Sequence, residues 1–220
     1  MRLARLAIVG ILAGGLVAAA PGSASADDLR YVTSTKKVVV NQSYENVAWH
    51  LAGTDVSRVD SVDATLEHVA TREVADFDFA YDGETSGTFR FYDFDRYGTY
   101  TVYGEVYDYD YNEMSAAATT LVIKAASKSP LTATRSGAYV TLRTTTKKYD
   151  GGYPRWKNHR NAVVRFQRKT SGGWTTIARR TVPANGVTSA RFRRPAPATY
   201  RVSVAEASKV WASRSGTVRR

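Results

Sequence analysis

One run of eleven residues constrains the fold more than any other: Gly98-Thr99-Tyr100-Thr101-Val102-Tyr103-Gly104-Glu105-Val106-Tyr107-Asp108. A tyrosine stands two positions behind a glycine, side chains then alternate, and the run stops where Asp and Asn offer a turn. Alternation with period two is the mark of a half-buried strand. A second copy of the arrangement stands at Pro197-Ala198-Thr199-Tyr200-Arg201-Val202-Ser203-Val204. In two-sheet sandwiches a tyrosine near the start of the penultimate strand bonds back to the upstream backbone. Tyr100 and Tyr200 are expected in that structural role, each near the end of a stretch of about a hundred residues.

The flanking sequence supplies the other strands. Val38-Val39-Val40 reads as a first strand. Val47, Trp49 and Leu51 share one face of a second, and Val62, Ala64 and Leu66 one face of a third. Phe77, Phe79 and Tyr81 alternate with Asp76, Asp78 and Ala80 in a fourth, and Phe89 and Phe91 mark a fifth. The Tyr100 strand and Thr119–Lys124 complete seven. After residue 130 the plan repeats. Strands are expected at 131–134, around Val140 and Leu142, around Val164 and Phe166, at 174–179, 187–192, around Tyr200 and at 213–218, with a long loop from Lys147 to Asn161. Trp174, just after the Gly172-Gly173 hairpin, is expected over the core. No stretch after residue 26 carries a helical period long enough for a helix.

These patterns imply an all-β chain of two tandem immunoglobulin-like β-sandwiches: residues 27–126 acidic, 127–130 a linker, and 131–220 basic. The Gly98-x-Tyr100 run with Asp108 and Asn112 resembles secreted bacterial immunoglobulin-like domains. Val163–Arg168 with Gly172-Gly173-Trp174, Asn185-Gly186 and Tyr200-Arg201-Val202 is similar to the modules attached to many exported bacterial proteins. The resemblance implies spacer, adhesion or surface-binding roles and brings no catalytic residues. The sequence departs from it at Tyr111, where a turn glycine is usual.

The first 26 residues read as a signal peptide cleaved after Ala26. Arg2 and Arg5 precede an apolar run from Leu6 to Ala20, Pro21 breaks it, and Ala24-Ser25-Ala26 supplies small residues. The run is shorter than the roughly 20 apolar residues a membrane span needs. The expectation is a secreted chain with no membrane span in its mature part. There are no cysteines, so core packing replaces the disulfides usual in exported animal domains.

Charge divides sharply. Residues 27–127 carry eighteen acidic and eight basic side chains, a net of −10, while 128–220 carry two acidic and twenty-one basic, a net of +19. Such asymmetry suits a polyanion, another chain, or attraction between the halves and charge-driven self-association.

The richest candidate for binding is the 147–161 segment, where Lys147, Lys148, Tyr153, Arg155, Trp156, Lys157, His159 and Arg160 alternate cations with aromatics. That mixture suits an anionic surface polymer, a glycan or a single-stranded nucleic acid. At the other hairpin tip, Asp108, Asp110 and Asn112 present oxygens at alternate positions. The choice there is between a loose calcium site and side chains that cap their own turn. No cofactor is otherwise implied. No nucleophile elbow, phosphate loop or metal spacing among His50, His68 and His159 is present. The chain therefore reads as a non-enzymatic binding or adhesion-type protein whose basic domain meets an anionic cell-surface polymer. The alternative is an inhibitor or accessory factor for another secreted protein, with residues 147–161 as the presented loop. A carboxylate pair in the acidic half would be needed for an enzyme of unrecognised type.

Overall fold

The computed structural model describes residues 28–151 and 155–220, without the side chain of Arg155. The expected leader, residues 1–26, lies outside the described residues. No helix among them is long and apolar enough to cross a membrane.

The first sandwich contains β1 (Leu29–Thr33), β2 (Lys37–Val40), β3 (Tyr44–Ala52), β4 (Val59–His68), β5 (Val74–Ala80), β6 (Ser86–Tyr92), β7 (Gly98–Asp108), β8 (Glu113–Met114), β9 (Ala116–Ala117) and β10 (Thr119–Ala125). One sheet runs β6-β3-β1-β9, the other β2-β10-β7-β4-β5. With β2 parallel to β10 and β7 central, this is the strand layout of an immunoglobulin-like sandwich. A single 3-10 turn, Thr54–Arg58, links β3 to β4. The core forms where the alternation placed it. Trp49 packs between Tyr31 and Phe89 with ring centroids 5.9 and 6.0 Å away, and Val47, Leu66, Phe91, Val102 and Ile123 are buried around it. β1 is the first strand of the described residues and carries little signal in the sequence, because Leu29 and Tyr31 are only two apolar residues in a polar context.

β5 alternates as expected but turns its aromatic side outward. Phe77, Phe79 and Tyr81 point to solvent, each more than half exposed, while its aspartates turn toward the other sheet. Asp78 Oδ2 accepts from Thr88 N at 2.5 Å and from Trp49 Nε1 at 2.8 Å. Asp76 Oδ2 accepts from Arg90 N at 2.5 Å. Both β5 and β6 are edge strands, and an edge presents unpaired N–H groups. Carboxylates satisfy them and close the side of the sandwich. A Cβ at Gly87 would lie 1.9 Å from Asp78 Oδ2, so the approach depends on glycine there.

The connection and second sandwich follow: β11 (Ser127–Lys128), β12 (Leu131–Ser136), β13 (Tyr139–Thr145), β14 (Lys147–Asp150), β15 (Arg155–Asn158), β16 (Val163–Thr170), β17 (Gly173–Thr181), β18 (Val187–Arg193), β19 (Thr199–Val204), β20 (Ser213–Arg214) and β21 (Val218–Arg219). Sheet β12-β13-β18 packs on β17-β16-β19-β20, with β21 also on β19. Val140, Leu142, Val164, Phe166, Tyr200 and Val202 fill a separate core. The layout repeats the first, and the β14–β15 hairpin is inserted where strand three would follow strand two.

The two tyrosines differ. Tyr100 donates its hydroxyl to Arg96 O at 2.6 Å, four residues upstream. Tyr200 is fully buried, but its hydroxyl meets no partner among the described residues. The matching carbonyl, Ala196 O, accepts instead from Arg135 Nη2 at 3.3 Å, and Arg135 Nη1 donates to Arg194 O at 2.6 Å. A guanidinium has taken over the tyrosine's task.

Candidate binding site

The segment 147–161 is a hairpin, not a free loop. β14 pairs with β15 in register Tyr149↔Trp156, and with β11, the expected linker. This brings the two rings together, 5.8 Å apart and nearly perpendicular. Apolar surface is then best hidden against a neighbour, and the neighbour is the first sandwich: Tyr149 joins its core and Trp156 packs against it. Tyr149 donates its hydroxyl to the buried Asp93 Oδ2 at 3.0 Å. Burial, then the carboxylate, push that phenol up to about 12. Lys128 Nζ sits 3.9 Å above the Trp156 ring.

The other candidates of this segment divide. Lys147 and Lys148 are half-buried strand residues, and Arg160 is exposed. Lys157 pairs with Asp150. His159 is buried, and burial together with the Lys148 charge hold its imidazole below the ordinary range. Tyr153 and the Arg155 side chain lie outside the described residues. The described members of the eight do not form one open cationic surface.

A second strap crosses the junction from the far end of the chain. Trp211 Nε1 donates to Val38 O at 2.6 Å, its backbone N to Ala125 O at 3.0 Å, and Ser127 Oγ donates to Trp211 O at 2.8 Å. Lys37 and Lys124 lie over the Trp211 ring at 4.0 and 4.7 Å. Lys124 Nζ also reaches Glu206 Oε1 at 2.5 Å. That ion pair has its cation in the acidic half and its anion in the basic half, so it does not express the charge split.

The cations free of such duties stand on the outer face of β16, β17, β19 and β20. Register puts Arg179, Arg165, Ser203 and Arg214 in one row across four strands. In the next row Arg201 Nε donates to Gln167 Oε1 at 2.8 Å, and its guanidinium lies 4.2 Å from the Trp174 ring centre. Trp174 pairs with Lys169 on this outer face, so it does not cover the core; the bulge between Phe166 and Gln167 sets the phase of its strand. Burial and the Arg214 charge lower the Arg201 guanidinium. The opposite sheet is basic as well, with Arg191 4.7 Å from the Tyr139 ring. From Gly151 to Ala205 there are twelve Lys/Arg and no Asp or Glu. The two acids of this half, Asp150 and Glu206, are already paired. Among the described residues no carboxylate contacts Arg165, Lys169, Arg179, Arg201 or Arg214. The signal was present in the alternation from Val163 to Lys169, but Arg165, Gln167 and Lys169 at every second place read first as a solvated strand face.

At the acidic tip, Asp108 Oδ1 accepts from Asp110 N and Asn112 N, both at 2.9 Å, and Arg58 lies 3.6 Å from Oδ2. The Asn112 backbone donor leads in holding this carboxyl below its ordinary range. Asp108 caps its own turn, and Tyr111 takes the φ of +60° that a glycine would usually supply. Among the described residues no group of three or more His, Asp or Glu gathers at metal-ligating spacing.

No family model matches the sequence, and no curated protein does. Among solved structures, the chain is similar to a marsupial T cell receptor at 10% identity and a TM-score of 0.36, covering 80% of this chain and 66% of that one, just under two thirds. It is also similar to the D00-D0 domain of intimin, at 13% identity and 0.27 over 87% of this chain and 98% of the other. The D0-D1 domain of intimin gives 16% identity and 0.27 over 86% and 96%. At these scores the likenesses carry no functional argument, and the immunoglobulin-like assignment rests on strand order.

Proposed function

We propose that the chain is an exported, non-enzymatic binding protein of adhesion type, whose basic sheet meets an anionic polymer of a cell surface. The observation that carries this is the outer face of β16, β17 and β19, where Lys169 and Arg201 flank Trp174, Arg165 and Arg179 stand two rows further along, and none of the four is ion-paired to a carboxylate among the described residues. An exposed ion pair contributes only about 0.2–1 kcal/mol, so a ligand held here needs many charges at once. A polymer supplies them. Rows two residues apart along a strand are about 7 Å apart, and neighbouring strands about 5 Å, a grid that a chain of repeating anions can follow. The aromatic ring adds a stacking surface that Arg201 already uses. The inhibitor reading needs residues 147–161 as a presented loop; Tyr149 and Trp156 are packed on the first sandwich and would not be part of such a loop.

The test is retention of the described chain on immobilised polyphosphate and on polyglutamate across a salt series. Binding should fall steeply with salt, as it does for any protein held by many contacts to a charged polymer. Lys169→Glu with Arg201→Glu should abolish it at moderate salt. Retention equal to that of the unaltered protein would refute the proposal.

A further inference from the structure

The basic face ends in a depression of about 660 Å³ that both sandwiches wall. Arg165, Ser203, Ser213 and Arg214 line it from the second sandwich and Lys37 from the first. We infer that this junction pocket is a binding site for a single phosphate group. The inference rests on the reading above for the polymer that would carry the phosphate, but the pocket can be tried on its own with the free ion.

Three features point to that ligand. The first is a set of unsatisfied donors. Arg165 Nε and Ser213 Oγ are shielded from solvent and meet no hydrogen-bond partner among the described residues. Buried polar groups are almost always bonded, and both residues line this pocket. The second is charge. Lys37, Arg165 and Arg214 face one acid, Glu206, which Lys124 already engages. With that pair closed, three cations remain to meet a phosphate dianion. The third is shape. A carboxylate is planar and is met by the fork of one arginine. Here the donors come from different directions. Arg165 and Arg214 stand on strands either side of β19, about 10 Å apart at the backbone, two strand spacings. Ser203 stands between them, and Ser213 pairs with the next residue along, Val204. Donors spread in this way suit the tetrahedral oxygens of phosphate.

The register also explains why these guanidiniums gather. Arg179, Arg165 and Arg214 lie in one cross-strand row, and like charges opposite each other are unfavourable. A fold that keeps such a row with none of its guanidiniums ion-paired to a carboxylate among the described residues gains when an anion enters.

The experiment is a titration of the isotope-labelled protein, followed through its arginine Nε–H and backbone signals, at constant ionic strength. Inorganic phosphate should shift Arg165 Nε–H and the Ser213 amide saturably, with a dissociation constant on the order of 1 mM. Arg214→Gln should weaken this about tenfold, the loss of one charge-assisted fork; Ser213→Ala should weaken it less. Acetate at the same concentration should leave both signals in place. Glycerol phosphate and polyphosphate serve as further arms: a shift with both places the group at a chain end or within a chain, and a shift with the monoester alone confines it to an end. No saturable shift with phosphate, or an equal shift with acetate, would overturn the inference. Polyphosphate retention with a silent Arg165 would sink the pocket and leave the polymer reading standing. Phosphate binding at Arg165 without retention of any polymer would do the reverse.

Discussion

Removing one oxygen at each of two matched tyrosines should have opposite effects. Tyr100 donates to Arg96 O at 2.6 Å from a buried position. Tyr100→Phe deletes that bond, and the carbonyl loses the donor. A net hydrogen bond is worth about 0.5–1.5 kcal/mol, so a loss of about 1 kcal/mol is expected. Tyr200 is as deeply buried, but its hydroxyl has no partner among the described residues. Tyr200→Phe therefore removes a desolvated polar group with nothing to lose, and stability should stay or rise by up to about 1 kcal/mol. The gap between the variants is then about 1–2 kcal/mol. For a chain of this size that is roughly 2–8 °C in melting temperature. Scanning calorimetry and urea unfolding followed by far-ultraviolet dichroism both read it. Arg135→Met adds a third arm, because Arg135 holds Arg194 O and Ala196 O in place of the tyrosine. It should cost about 1–3 kcal/mol, the bonds being made by a charged donor. If Tyr200→Phe costs as much as Tyr100→Phe, the division of labour at the two corners is wrong.

Asp78→Ala should cost about 2–5 kcal/mol in urea unfolding, since it strands Thr88 N and the buried Trp49 Nε1; a loss under about 0.5 kcal/mol would show the edge is closed by other means. His159 has its folded pKa below its unfolded one. The unfolded chain therefore takes the proton first, and stability falls as pH drops through the ordinary histidine range. His159→Gln should flatten that part of the profile of melting temperature against pH, and an unchanged slope would refute the assignment. Asp108 is shifted the same way as a carboxylate. Its stabilisation is present above about pH 4 and lost as pH falls further, and Asp108→Asn should remove this acid-limb dependence. Trp211→Ala opens the junction and should cost about 3–5 kcal/mol while broadening the solution scattering envelope; an unchanged envelope would mean that the other strap suffices.

Much of the sandwich could be read from side-chain period alone, because a strand buried on one face must alternate. The Tyr100 strand, the Val62–Leu66 strand and the Val164–Phe166 strand all fall where alternation put them. The places that escaped are those where a residue's partner is remote. The aromatics of β5 look like a core face until Asp76 and Asp78 are seen to serve the backbone of β6. Nothing local at Tyr149 and Trp156 announces that their apolar partner is another sandwich. Trp174 reads as a core residue in sequence because a bulge that reverses strand phase leaves no mark in composition. The binding face suffered from a related ambiguity. Its arginines sit at correct intervals for a solvated strand, and only the pairing of four strands turns them into a row. Tyr200 carries the same local signal as Tyr100, and the arginine that displaces its hydrogen bond is sixty-five residues away in sequence.

The hydrogen-bonded strip formed by β11, β14 and β15, with the Trp211 strap beside it, bears on the thermodynamics of recognition. Two modules on a slack tether lose rotational freedom of the joint when a ligand bridges them, and that loss is subtracted from affinity. Here the angle between the modules is fixed when the chain folds. A ligand that touches Lys37 on one side and Arg214 on the other meets a gap already set to width, and the entropy of setting it belongs to folding rather than to capture.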